Sequence, residues 1–210
     1  MEVVGGISAI INLLDISIDL FKNTQKDLQL SETFEVVRRQ LPILRSTLDG
    51  CYRHLDLRND PIPEDVAEAL EKILDACETK AKKLKRIFAK IIPDESDPWQ
   101  KRYAAIIKRL GKGNKVEELM RAITEDVQTI VNYDAVNSAD SQQNLDLEQI
   151  LEELKSLDSS VLEEDLSSMN FTSHGGPQHN NIHRGHGAYH VNSGSGKQYN
   201  AEHQSFGKDE

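Results

Sequence analysis

The sequence is short of the residues that most often declare a function. It has two cysteines in 210 residues, Cys51 and Cys77. They are too few for a disulfide scaffold and too isolated for a zinc site. Both are read as buried, reduced thiols of a cytoplasmic protein. Aromatic residues make up 5% of the chain, and none interleave with its basic stretches, which argues against nucleic acid as a partner. His54 is the only histidine before residue 170, so no pairing of nucleophile and base can be assembled. No unbroken apolar run reaches about 18 residues, so no conventional membrane span is expected. The opening MEVVGGISAIINLLDISIDLF begins with Glu2, carries Asp15 and Asp19, and lacks the basic region and cleavage site of a signal peptide.

Phosphate loops are missing too. Gly111-Lys112-Gly113-Asn114-Lys115 follows a helix pattern rather than a strand and reads as a helix stop followed by a cap. Gly194-Ser195-Gly196-Lys197 has Val191 where the first glycine of such a loop would stand, and Gln198 in place of Ser or Thr. The expectation is a protein that is not an enzyme, with no catalytic set, no cofactor and no metal.

Charge divides the chain into three. Residues 1–133 carry 21 Lys+Arg and 22 Asp+Glu, and 134–169 carry one lysine and ten acids. Residues 170–210 carry three of each sign. That is a balanced domain, an acidic connector and a neutral tail. The expected organisation is a helical domain over 1–133, an acidic linker with short helices over 134–173, and a polar tail over 174–210.

Within the first part, Ile7, Ile10, Ile11, Leu14, Ile18 and Phe21 recur at helical spacing, opposite Ser8, Asn12, Asp15 and Asp19. Ser31 opens a second helix with Phe34, Val37, Leu41, Leu44, Leu48 and Leu55 inward. Pro42 is expected to kink or split it. A third helix presents Val66, Leu70, Ile73, Cys77, Leu84, Phe88 and Ile91, and Pro93 stops it. Asp97-Pro98-Trp99-Gln100 reads as a helix start, with aspartate as cap and proline in the first turn. Asn114-Lys115-Val116-Glu117 repeats the device, with Glu117 expected to reach back to the cap. A last helix buries Val116, Leu119, Ile123, Val127 and Ile130. No strand pattern competes, so the fold class is all-α: a bundle of about five helices, then a disordered acidic linker and a Gly/Asn/His tail.

Two basic stretches, Lys80–Lys90 and Lys101–Lys115, are read first as solvated helix faces, with anionic lipid as the sharper alternative. In the connector, Leu145, Leu147, Ile150, Leu151, Leu154 and Leu157 fit a short amphipathic helix, and Ser160-Val161-Leu162-Glu163 fits a second cap. A loosely structured spacer is expected there, with a partner-docking helix as the other reading.

The tail holds seven of the twelve glycines and six of the seven histidines. Ile182–His190 and Val191–Tyr199 form a crude repeat, each with Gly-x-Gly followed by a tyrosine. Alone, such a segment buries too little apolar surface to offset its ordering entropy. Stacked on identical copies, Asn181, Asn192, Gln198 and Asn200 can form amide ladders while Tyr189 and Tyr199 stack. A flexible solubilising tail, or metal binding by His179, His183, His186 and His190, would fit the same composition.

Two resemblances follow from these residues. RYAAIIKRLGKGNKVEELMRAITEDVQTIV (102–131), with ISAIINLLDISIDLF, FEVVRRQLPILRSTL and ILDACETKAKKLKRIFAKIIP in order before it, resembles the SesA-type domain. That domain stands at the N-terminus of fungal NACHT and related P-loop NTPases of the STAND class. The resemblance implies an effector or signalling module of fungal self/non-self recognition, heterokaryon incompatibility and immune-like cell death, arranged as in NLR receptors. No nucleotide-binding motif follows it within the 210 residues, so the effector half is expected to be joined to something else.

The second resemblance lies in NSGSGKQYNA, which is similar to the sigma-type prion-forming motif of fungal signalling amyloids, N-x-G-x-G-x-Q-aromatic-N. Asn192, Gly194, Gly196, Gln198, Tyr199 and Asn200 match every fixed position. An upstream copy keeps Gly185 and Gly187 with Tyr189 nearby. This resemblance implies self-assembly through the tail and a STAND/NACHT receptor bearing a matching motif as partner. The face Ile7, Ile10, Ile11, Leu14, Ile18 and Phe21 is then expected to oligomerise, or to meet a membrane after activation, although Ile7–Phe21 is short for a span. The alternative is a non-enzymatic adaptor that pairs with like domains on STAND receptors.

Overall fold

Apolar side chains recurring every three to four residues can be buried together only if each segment winds into a helix and the stripes face one another. The computed structural model, which describes residues 3–22, 30–58, 60–92, 98–133, 136 and 138–161, realises this as a helical bundle. Six α-helices occur among the described residues: α1 (Val3–Lys22), α2 (Glu32–Asp56), α3 (Glu64–Ile91), α4 (Trp99–Leu110), α5 (Val116–Val131) and α6 (Ser141–Ser156). A single 3-10 turn, Lys112–Asn114, joins α4 to α5. No strand is formed among the described residues.

The core lies where α1, α2, α3 and α5 meet. α1 packs on α3 and α2, and α5 packs on α3, α2 and α6. The six inward positions expected of α2 and the five expected of α5 are all buried. On α3, Leu70, Cys77, Leu84, Phe88 and Ile91 are buried, while Val66 and Ile73 are half-buried at the edge. One end of the core is aromatic. The Phe21 and Phe88 rings meet edge-on at 4.7 Å, and Phe34 contacts Tyr103 at 5.1 Å and Trp99 at 5.3 Å. Edge-to-face pairs of this kind add about 0.5–1.5 kcal/mol each beyond the area they bury.

Several local expectations are corrected. α2 is not split: one helix runs through Pro42. Pro42 and Arg38 are both exposed, so water can solvate the Arg38 carbonyl that loses its donor. Glu117 does not reach back to a cap. It is buried, and its Oε1 accepts the backbone N–H of Ser160 at 3.0 Å. Asn114 turns the other way, donating to the Leu110 carbonyl at 2.5 Å. Asp97 lies outside the described residues, and Pro98 occupies the N-cap of α4.

The stop at the end of α4 is as expected. Gly111 donates to the Ile107 carbonyl at 2.8 Å and turns to φ +92°, ψ 151°. Essentially only glycine occupies that region at low cost.

The largest difference lies in the connector. Residues 141–156 are not a loose spacer but α6, packed on α5 and α2, with Leu147, Ile150 and Leu154 buried. The sixth helix therefore belongs to the bundle. Its start is fixed by a capping box: Asp140 accepts from the Gln143 N–H at 2.7 Å, and Gln143 Oε1 accepts from the Asp140 N–H at 3.1 Å. Its outer polar edge is tied to α2, where Glu153 takes Arg39 at 2.7 Å and Gln40 at 2.8 Å. Contacts within the chain place all six helices in one compact unit.

Candidate interaction surfaces

Three places on the helical unit bear on function. The first is α1. Of the six residues expected to form a membrane or oligomer face, Ile7, Ile10, Leu14 and Phe21 are buried, and Ile11 and Ile18 are half-buried. That face is the core face. Its length is corrected: α1 has 20 residues, about 30 Å at 1.5 Å per residue, and is long and apolar enough to cross a membrane. Core helices of soluble proteins pass the same test, and α1 packs on two neighbours.

The second place is a groove between the C-terminal half of α3 and α4. Ala105, Ile106 and Leu110 lie along it, with Arg86, Lys90 and Arg109 beside them, and its volume is about 460 Å³. It joins residues of both basic stretches. Arg102, on the wall, donates to the Ile91 carbonyl at 2.5 Å and so caps the end of α3. The remaining cations flank a small apolar floor, an arrangement that can receive an acidic, partly apolar partner. Nothing in the spacing of the bases announces the groove, because it exists only once α3 and α4 lie side by side.

The third place is where the chain returns after α6. Tyr103, on α4, is buried. Its hydroxyl accepts the Val116 N–H at 3.0 Å, at the start of α5, and forms a hydrogen bond with the Ser160 hydroxyl at 2.5 Å. Lys115 reaches Ser159 at 2.8 Å, and Val161 is buried. One buried phenol thus ties together α4, α5 and the segment after α6. Burial pushes its pKa up from the usual tyrosine value, with Glu117 adding to the shift. The same cause raises Cys77, deep against α5, and Cys51. Both thiols are free and buried, so each stays protonated and is a poor nucleophile at neutral pH.

The sequence of these helices has a counterpart in a known family. The family model for SesA, the N-terminal domain on NACHT NTPases and P-loop NTPases, matches residues 7–130, more than half of the chain. The chain belongs to the SesA family. It therefore carries a helical domain of the kind that stands at the N-terminus of NACHT and P-loop NTPases. No curated protein and no solved structure matches the chain.

The SesA match ends at residue 130, whereas the packed helices run on through α6. Sequence reasoning missed the elements that close this end. The Asp140-x-x-Gln143 box is a local signal that the sequence carries. The bonds of Tyr103 and Glu117 join residues 57 and 43 positions apart, and no local rule reaches that far. The tail residues Asn192, Gly194, Gly196, Gln198, Tyr199 and Asn200 lie outside the described residues, as do Gly185, Gly187 and Tyr189.

Proposed function

We propose that this SesA protein is a cytosolic signalling effector of a STAND receptor, recruited when its C-terminal tail adds to a matching amyloid template. The observation that carries the reading is the joining of two elements in one chain. A SesA domain covers 7–130, and the motif Asn192–Asn200 lies near the end of a polar, charge-neutral tail. The tail acts as an address that reads identical sequence, and the helical unit is what it gathers. Tethering raises the local concentration of that unit without any new contact being made. The outcome fits heterokaryon incompatibility or immune-like cell death.

The gathered domains act in one of two ways, and each has a supporting observation. α1 is long enough to span a bilayer, which supports action on membranes. Its core face then has to leave α2 and α3 first. Release of dye from liposomes by assembled protein supports that step, and intact liposomes remove it. The family's place on NACHT and P-loop NTPases supports an adaptor that pairs with receptor SesA domains. Capture of such a domain by this chain with its tail silenced favours the adaptor.

The recruitment step is tested on the peptide 170–210 by thioflavin T fluorescence, beside the same peptide with Gln198→Pro. Proline supplies no ladder donor. Seedable fibres from the natural peptide and none from the variant are expected. A natural peptide that stays soluble and unseedable rules out templated recruitment.

A further inference from the structure

α3 is electrically divided along its length. From Glu64 to Thr79 it carries six acids and one lysine, and from Lys80 to Ile91 six bases and no acid. The helix macrodipole favours acids in the first turn and bases in the last, but its effect fades within a turn. Glu68, Asp75 and Arg86 are left without a reason. Some of the bases are used inside the molecule. Lys80 holds Asp126 at 2.5 Å and Lys83 donates to Asn114 at 2.9 Å.

Two of the others, Arg86 and Lys90, lie on an outward stripe with acids of the first half. Glu64, Glu68, Arg86 and Lys90 are exposed, and none forms an ion pair with another described residue. Glu68 and Arg86 are five helical turns apart on the same face, about 27 Å. Between them the stripe passes Asp75 and Thr79, both short side chains, with Thr79 exposed. Beside its basic half runs the groove, where Arg109 adds a further cation.

We propose that this face of α3 pairs two copies of the chain antiparallel about a two-fold axis near Asp75 and Thr79. Glu64 and Glu68 of each copy then meet Lys90 and Arg86 of the other, and the first turns of each α3 lie in the groove of the other copy. A two-fold axis makes every contact twice, so one divided stripe suffices. The registry follows from arithmetic: positions 64 and 90, and positions 68 and 86, are symmetric about the same point, position 77, near the middle of the helix. The one meeting of like charges, Lys72 against Lys82, is relieved by Glu78, which holds Lys82 at 2.8 Å. A flat anionic membrane is a poorer occupant, because the acidic half of the same face would be repelled by it. The pairing concerns the helical unit alone and stands or falls separately from the tail.

The test uses the full chain with Gln198→Pro, so that the tail does not intervene, and sedimentation velocity up to about 100 μM. Four exposed positions are reversed, with circular dichroism checking that each variant folds. Glu64→Lys with Glu68→Lys makes both ends of α3 basic, and Arg86→Glu with Lys90→Glu makes both ends acidic. The parent is expected to dimerise, with the dissociation constant rising about ten-fold or more between low and high salt as the Debye length falls. Each double variant alone is expected to be monomeric. The two mixed, or all four changes in one chain, restore the dimer. A monomeric parent, dimers indifferent to the reversals, or a failure of the mixture to pair would each overturn the proposal. Binding of the parent to anionic vesicles in place of dimerisation would overturn it in favour of a lipid surface.

Discussion

α1 and α6 are the first and last helices of the described chain, and they join the bundle by different means. α1 is apolar along most of its length, with Asp15 and Asp19 as its only acids, and two neighbours cover it. Ser17 sits on the buried side, with its hydroxyl turned back to the Leu13 carbonyl at 2.8 Å. α6 carries four acids and a lysine in 16 residues and buries only Leu147, Ile150 and Leu154. Leu145, on its outer side, is 58% exposed. What fixes α6 is the capping box at its start, Glu153 bonded to Arg39 and Gln40, and the clasp at Tyr103 beyond its end. An apolar helix is held by area, which is indifferent to detail. An acidic helix is held by a few anchors placed correctly, and each matters more to whether it docks at all.

That contrast can be broken in steps. Leu14→Ala removes a fully buried side chain from α1 and leaves a cavity between α1 and its neighbours. It should cost about 3–4 kcal/mol, lowering Tm by roughly 10 °C in a unit of this size, read by thermal unfolding. Leu147→Ala makes the same change in α6, which buries only three apolar side chains. About 2–3 kcal/mol is expected, with urea unfolding remaining a single transition. An early, separate transition confined to α6 would show that it is an appendage and not part of the core.

The buried acids give a pH test of the unit as a whole. Cys51, Cys77 and Tyr103 all have raised pKa values in the folded state. Below about pH 8.5 each is protonated whether the chain is folded or not, so none affects stability. Above that, the unfolded chain loses thiol protons that the folded chain keeps, and unfolding is favoured. Stability should therefore be level through neutral pH and fall above about pH 8.5, by at most about 1.4 kcal/mol per pH unit for each group fully ionised only when unfolded. Tyr103 joins near pH 10. Cys51→Ser with Cys77→Ser should remove the early part of the fall. A steep loss that survives in that variant would assign it to other groups.

The smallest effect belongs to the cap. Asp140→Ala removes half of the box that starts α6 and should cost about 1 kcal/mol. Amide exchange should be faster in the first turn of α6 and unchanged in α1.

These two helices also mark how far the sequence could be read. The inward residues of α2 and α5 follow from period alone, because a long amphipathic stripe has one way to be buried. The apolar residues of α1 are equally plain, but that they form a core face in the resting fold is not legible from their spacing. Periodicity shows that a face must be covered, not by what. In α6 the leucines were visible and the acids around them pointed to a solvated spacer. Composition averages over a segment, whereas docking depends on three anchors and two polar ties. Glu117 shows the same limit from the other side. Its position after Asn114 fits a local cap, yet the Ser160 N–H, brought in by the fold, is the donor it accepts. The tail is a case of its own. Its reading comes from one run of Gly, Gln, Asn and Tyr, of which only Gly-x-Gly and a tyrosine recur upstream, and whose meaning lies in identical copies, not in contacts within one chain.

Hydrogen–deuterium exchange on the full chain, before and after seeding with fibres of the 170–210 peptide, tests recruitment by the tail most directly. Recruitment by templating predicts new protection across 192–200 while α1 to α6 keep the protection they had. No new protection in the tail, or new protection appearing first in the helices, would contradict it.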